Sequence, residues 1–209
     1  MLYELERIKM CKIVKSMFDR WTTNAAGGNV SMRVGNGHFI MTPTLMSVEQ
    51  LWDPNPEGIL VVDDNLNIVE GVGRSTREIN MHMTIYNTDE RVNAVIHAHP
   101  KEMMVFATMG IDMPLVNENV KKLGETLPCL PYAPATTEEL ANTVGEFVNK
   151  QILNGVEPTY GALLREHGVI LAGDTLEKTN NMLERLETDA YTYIQSIPLQ
   201  QAGFKYYNR

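Results

Sequence analysis

The stretch Val92-Asn93-Ala94-Val95-Ile96-His97-Ala98-His99-Pro100 reads as a buried strand that ends in two histidines. Its apolar, β-branched residues favour a strand from Val92 to His97. Pro100, which has no N–H for a ladder, lies just past its end. Side chains at i and i+2 of a strand project to one face, so the imidazoles of His97 and His99 can aim at a single ion. A metal held by nitrogen needs neutral imidazoles converging to about 2.0–2.1 Å. The chain has five histidines, His38, His82, His97, His99 and His167. The pair alone is suggestive, since with five histidines one such spacing also arises by chance in roughly one chain in ten.

Working outward, Lys101 to Met109 reads as a helix stopped by Gly110. Ser75-Thr76-Arg77-Glu78 has the form of a capping box and opens a helix to about Asn87. Upstream, Asn29 to Val34 and His38 to Thr42 flank Gly35-Asn36-Gly37, and Gly58 to Val62 and Leu66 to Val69 flank Asp63-Asp64-Asn65. Both are hairpin signals. The first segment is expected to be helical, with Leu2, Leu5, Ile8, Ile13, Met17 and Trp21 on one stripe. Downstream, Thr136-Thr137-Glu138-Glu139 opens a helix with Leu140, Val144, Phe147 and Ile152 facing inward. Tyr160 to Arg165 and Gly168 to Leu171 are apolar enough for buried strands around Glu166-His167. Asp174-Thr175-Leu176-Glu177 caps a long last helix ended by Pro198, with Leu199 to Arg209 loosely held. Regular βαβ alternation and a Gly-rich nucleotide fingerprint are both absent. The pattern predicts an α/β chain of mixed α+β type: a central, mostly antiparallel sheet with helices packed on its faces, in a single domain.

Composition narrows the partners. The 209 residues are 44% hydrophobic and 21% charged, with 18 Lys+Arg against 26 Asp+Glu and a formal net charge of −8. An acidic chain with no basic run suits neither nucleic acid nor an anionic membrane, so an anionic substrate has to be held by local donors. Cys11 and Cys129 are too few for a disulfide scaffold and read as reduced thiols. The N-terminal residues lack the apolar core of a signal peptide. The longest apolar runs, such as Ile59 to Val62 and Val169 to Ala172, fall far short of a membrane span. A cytoplasmic enzyme is the expectation.

Three further places carry chemistry. Glu166-His167-Gly168 interrupts a strongly apolar stretch, and a buried polar group there needs a partner. His167 is a third ligand or a core histidine bonded to a carbonyl. Glu78 is a candidate acid–base, or a capping residue bonded back to Ser75. His82, one turn on from Glu78, fits a packing role between helix and sheet. Gly27-Gly28-Asn29 can bring backbone N–H groups close to an anion or make an ordinary turn.

Taken in order, these motifs resemble the class II aldolase/adducin-head family. They are Gly27-Gly28-Asn29-Val30-Ser31, Met41-Thr42-Pro43-Thr44, Glu78 with His82, His97-Ala98-His99-Pro100, Leu130-Pro131-Tyr132-Ala133 and Glu166-His167-Gly168. The match runs over essentially the whole chain, so residues 1–209 read as one class II aldolase/adducin-like domain. The resemblance implies Zn²⁺, or another divalent metal ion, on His97, His99 and His167. It implies Glu78 as acid–base and Tyr132 as a proton donor from a neighbouring subunit. Asn29, Thr44 and the Gly28 backbone, helped by Thr76 and by Arg77, would hold a substrate phosphate. Tyr206 or Tyr207 would be a C-terminal tyrosine reaching the site, and the assembly would be a homotetramer. The implied reaction is zinc-dependent, reversible cleavage of a phosphorylated ketose, of L-fuculose 1-phosphate type, to dihydroxyacetone phosphate and an aldehyde. Relatives also include sugar-phosphate 4-epimerases, dehydratases, oxo-tetronate-phosphate decarboxylases and non-catalytic adducin-like binding modules. Two departures bear on substrate: Leu45 stands where the family often has glycine, and Thr76-Arg77 stands where the aldolases tend to have Ser-Ser.

Overall fold

The structure, a computed structural model, describes residues 1–205; Tyr206 and Tyr207 lie outside them. Along the chain run α1 (Glu4–Asp19), β1 (Asn29–Arg33), β2 (Phe39–Met41), the one-turn α2 (Met46–Glu49), β3 (Leu60–Val62), β4 (Ile68–Glu70) and α3 (Ile79–Thr88). Then follow β5 (Ala94–Ala98), α4 (Met103–Met109), β6 (Met113–Pro114), β7 (Thr126–Leu127), β8 (Cys129–Leu130), α5 (Glu138–Leu153), β9 (Thr159–Leu164), β10 (Gly168–Gly173) and α6 (Leu176–Gln201).

Eight strands form one sheet in the order β4-β3-β2-β1-β5-β10-β9-β8. Every pairing is antiparallel except that of β8 with β9. Both hairpins expected in the N-terminal half are present. Because strand side chains alternate between faces, the central strands feed two cores. Val30, Ile96, Ala98 and Leu171 pack with Met10, Val14 and Met17 of α1, Phe106 of α4 and Leu183 of α6. Val95, Ile170 and Ala172 pack on the other face with Met81 and Ile85 of α3 and Val144 and Phe147 of α5. This is the mixed architecture with a mostly antiparallel sheet that the periodicities predict. Among the described residues no helix is long and apolar enough to cross a membrane.

Several local expectations are corrected. The α1 stripe is wrong at its ends: Leu2, Leu5 and Trp21 are exposed, and the buried face is Arg7, Met10, Val14 and Met17. The helix is turned by Arg7, which pairs with Glu70 and donates to the carbonyls of Pro56 and Glu57 at 2.7 and 3.1 Å. A buried guanidinium needs such partners. The capping box is absent. Glu78 itself precedes α3, and its N–H is accepted by Thr76 Oγ1 at 3.2 Å, which frees the Glu78 carboxylate from a capping role. Pro198 lies inside α6, which continues to Gln201; the exposed end of the helix leaves the lost hydrogen bond to water. The starts of α5 and α6 fall within the expected tetrads, and the second residue of each, Thr137 and Thr175, is the cap.

Candidate metal centre

The register of the sheet assembles the centre. Asn29 of β1 lies opposite His97 of β5, and His97 lies opposite Ile170 of β10. His99 comes one residue past β5. His167 occupies the tight turn from β9 to β10, where its N–H bonds the Leu164 carbonyl at 3.0 Å and Glu166 adopts a left-handed φ of 59°. Glu166 is therefore an exposed turn residue, while His167 turns inward. The ring centroids of His97 and His99 are 4.8 Å apart, those of His97 and His167 4.7 Å, and those of His99 and His167 5.7 Å. One nitrogen from each ring falls within a common set no wider than 4.8 Å.

The hydrogen bonds and charges suit a cation. His97 Nδ1 lies 2.9 Å from the Val169 carbonyl. It must carry the ring proton to donate there, leaving the Nε2 lone pair free. Both nitrogens of His99 and Nδ1 of His167 are buried without a hydrogen-bond partner among the described residues. Burial drives His97 well below the ordinary histidine range, with His99 and His167 adding to the effect. Burial, then His167, holds His99 at about 4; burial also lowers His167. All three are neutral at pH 7, the form that ligates a metal. Orphaned buried nitrogens cost about 1–3 kcal/mol each, and a divalent ion would satisfy them together. The donor set fits such an ion.

Backbone positions without side chains make room. A Cβ on Gly168 would meet His99 Cδ2 at 2.6 Å, the Ala98 carbonyl at 2.7 Å and His97 Cε1 at 3.0 Å. Gly28, at φ +133°, would meet the His97 carbonyl at 2.9 Å. The glycine turn is itself pinned from both sides. Thr23 Oγ1 donates to the Gly27 carbonyl at 3.0 Å. Asn24 Nδ2 donates to the His99 carbonyl at 2.9 Å, while Asn24 Oδ1 accepts from the Ala26 N–H.

A cleft of about 350 Å³ is lined by Gly28, Asn29, Thr44, Thr76, Arg77 and Glu78 together with His97, His99 and His167. Of the ten expected site residues that lie among those described, nine therefore share one cavity. The tenth, Tyr132, is 54% exposed and is not part of this lining. Glu78 Oε1 stands 4.0 Å from His167 Nε2, and Oε2 has no partner among the described residues. Burial raises the Glu78 pKa, opposed by the Thr136 backbone N–H and then by Arg77. Leu45, at the cleft's rim, is left-handed with φ 62°. Sequence reasoning missed Asn24 and Thr136; an Asn two residues before an Ala-Gly-Gly turn was the available signal for the first. A larger cleft, of about 860 Å³, lies between Lys122, Asn154 and Arg185 and contains no histidine.

The model of the family described as Class II Aldolase and Adducin N-terminal domain matches residues 8–194. An L-fuculose phosphate aldolase of Methanococcus maripaludis is 31% identical over 182 residues, covering 87% of this chain and 91% of its own length. A 5-deoxy-D-ribulose 1-phosphate aldolase of Bacillus thuringiensis serovar kurstaki is 25% identical over 197 residues, covering 94% of this chain and 87% of its own. Among solved structures, an L-fuculose 1-phosphate aldolase superposes with a TM-score of 0.79 at 25% identity, over 92% of this chain and 86% of that one.

Proposed function

The chain belongs to the class II aldolase and adducin N-terminal domain family, and from that membership we propose that it is a zinc-dependent aldolase. It reversibly cleaves a phosphorylated ketose, of the L-fuculose 1-phosphate type, into dihydroxyacetone phosphate and an aldehyde. The observation that carries this reading is the trio of neutral imidazoles with orphaned nitrogens beside the partnerless oxygen of Glu78.

His97, His99 and His167 hold the ion. Three neutral ligands would leave a bound divalent ion its +2 charge, and the chemistry it would supply is Lewis-acid polarisation of the ketose oxygens. In the synthetic direction Glu78 removes a proton from the hydroxymethyl carbon of dihydroxyacetone phosphate. The partner subunit's Tyr132 gives a proton to the aldehyde oxygen as the C–C bond forms, and cleavage retraces both transfers. General acid–base help of this kind is worth roughly 10²–10⁴-fold. Burial shifts Glu78 upward in the metal-free protein, while the field of a bound cation would favour its ionised form, so that it begins as a base. The Asn29 side chain, the Thr44 and Thr76 hydroxyls and the Gly28 backbone N–H hold the phosphate, with Arg77 beside them. These donors are mostly neutral, so on a chain of net charge −8 the anion is held by local hydrogen bonds, with Arg77 as the cationic group among them. We read residues 1–209 as one domain, assembled as a cytoplasmic homotetramer.

The two named relatives take different ketose phosphates, so the tail of the sugar is the variable part. Arg77 ahead of Glu78 favours, as the second reading, an acid substrate and decarboxylation on the same centre, since a guanidinium pairs with a carboxylate in a fork. A panel of phosphorylated ketoses and oxo-acids, run with and without chelator, separates the two. Glu78→Gln is expected to keep stoichiometric metal and lose most turnover; near wild-type turnover would remove Glu78 from the acid–base role.

A further inference from the structure

Beneath the cleft lies a line of buried polar groups, Tyr86, Ser31 and His82, that no step above uses. Asn29 and Ser31 share one face of β1, and His82 and Tyr86 follow one stripe of α3 at four-residue spacing, in line with Glu78 just before the helix. His82 and Ser31 are fully buried and Tyr86 nearly so. His82 Nδ1 is 2.6 Å from Ser31 Oγ, Ser31 Oγ is 2.9 Å from the Tyr86 hydroxyl, and His82 Nε2 is 2.6 Å from Asn29 Oδ1.

We propose that Tyr86, Ser31 and His82 form a proton-ordered chain that fixes the Asn29 amide with its NH₂ group toward the cleft, making these three the positioning residues of the phosphate subsite. The inference rests on the reading of Asn29 as a phosphate-holding residue.

The direction of each hydrogen bond follows from counting donors. The Tyr86 hydroxyl is buried and its one hydrogen-bond partner among the described residues is Ser31 Oγ, so the single phenolic proton goes there; the reverse direction would leave that proton without an acceptor. The Ser31 proton then goes to His82 Nδ1, which must accept. Burial holds His82 at about 3, so the ring is neutral and has one proton; with Nδ1 accepting, that proton is on Nε2. It is donated to Asn29 Oδ1. The amide is thereby oriented: its oxygen is occupied and its two N–H groups have no acceptor among the described residues. Asn29 lines the cleft with Thr44 and Thr76. A flipped amide would turn oxygen lone pairs toward an incoming anion and would require the opposite tautomer of His82, which the Ser31 proton opposes. Tyr86 is itself fixed by Arg33, whose guanidinium lies 5.2 Å from the centre of its ring and donates to its backbone carbonyl at 2.9 Å.

The test uses the zinc-loaded enzyme, inorganic phosphate as probe, and ¹⁵N-labelled histidine. Wild type is expected to show the Nε2–H form of His82. Ser31→Ala removes the donor to Nδ1, and Tyr86→Phe removes the group that orders Ser31. Each is expected to weaken phosphate binding roughly 10-fold with unchanged zinc content, and Ser31→Ala to populate the other tautomer. Asn29→Ala should lose as much. Adding Ser31→Ala to it should cost nothing further, an absence of additivity that a merely structural role would not produce. Wild-type phosphate affinity in both Ser31→Ala and Tyr86→Phe, or an Nδ1–H form in wild type, overturns the proposal and leaves the phosphate reading intact. Failure of wild type to bind phosphate while His82 keeps the Nε2–H form overturns the phosphate reading, and the proposal with it.

Discussion

Gly168→Ala is the sharpest test of how the centre is built, because it adds one methyl group and changes no donor. That methyl would sit 2.6 Å from His99 Cδ2, 2.7 Å from the Ala98 carbonyl and 3.0 Å from His97 Cε1, where carbon contacts are optimal at about 3.5–4.0 Å. The Ala98 carbonyl cannot simply swing aside, since Ala98 is paired with Val169 in the middle of the sheet. The histidines must give instead. Overpacking of this kind costs about 1–3 kcal/mol. At roughly 2–4 °C per kcal/mol for a chain of this size, the Tm of the metal-free protein should fall by about 2–12 °C. Displacing the support of a ligand typically weakens a metal site about 10–100-fold, and the same loss is expected here. Scanning calorimetry of the metal-free protein and chelator competition for zinc read the two effects separately. Gly161→Ala is the control: its methyl would crowd the Ile170 carbonyl at 2.9 Å and Leu171 Cγ at 3.1 Å but meets no histidine. It should lower Tm and spare zinc. Wild-type Tm and wild-type zinc affinity in Gly168→Ala would refute the packing described, as would an equal loss of zinc from Gly161→Ala.

Three further outcomes are expected. His99→Asn should abolish stoichiometric zinc and turnover together; metal analysis of the purified variant that still found one zinc per chain would exclude His99 as a ligand. Leu45→Gly replaces a left-handed residue, at φ 62°, with the one residue that adopts that conformation freely. Relief of about 1–2 kcal/mol of strain offsets the backbone entropy of glycine, about 0.5–1 kcal/mol. Tm should hardly move while KM for a phosphorylated ketose falls; an unchanged KM would show that the Leu45 side chain does not narrow the cleft. Glu187 accepts the N–H groups of Glu102 and Met103 at 2.8 and 3.0 Å, yet burial raises its pKa from 4.5 to about 6. A raised carboxyl pKa means the folded state binds the proton more tightly than the unfolded chain. This contribution, about 2 kcal/mol, is complete below pH 4.5 and lost as pH rises through 6. The difference in stability between wild type and Glu187→Gln, measured by calorimetry from pH 4 to 7, should follow that curve; a flat difference would contradict it.

Much of this molecule could be read from short-range pattern. His97 and His99 were legible as a pair because a strand puts i and i+2 on one face, and the hairpins and the starts of α5 and α6 are equally local. His167 was legible by family resemblance rather than by spacing, since only the pairing of β10 with β5 brings it near. What was illegible depended on distant partners. Arg7 is buried because of Glu70, 63 residues away, and that pair turned α1 away from its apparent stripe. Ser75 and Glu78 matched a capping motif, yet the neighbouring Thr76 hydroxyl took the Glu78 N–H. Asn24 looked like any turn residue, because its acceptor, the His99 carbonyl, lies 75 positions on. The polar line from Tyr86 to Asn29 spans a strand and a helix and has no signature in either alone.

The position of β5 in the sheet has a dynamic consequence. With β1 on one side and β10 on the other, its amides are shielded from solvent exchange along both edges, whereas β4 and β8 are short border strands. Opening should therefore begin at the borders and reach residues 94–98 last. A protein warmed until its margins fray would still keep His97 and His99 in register, and deuterium uptake at the borders would run well ahead of any change around the imidazoles.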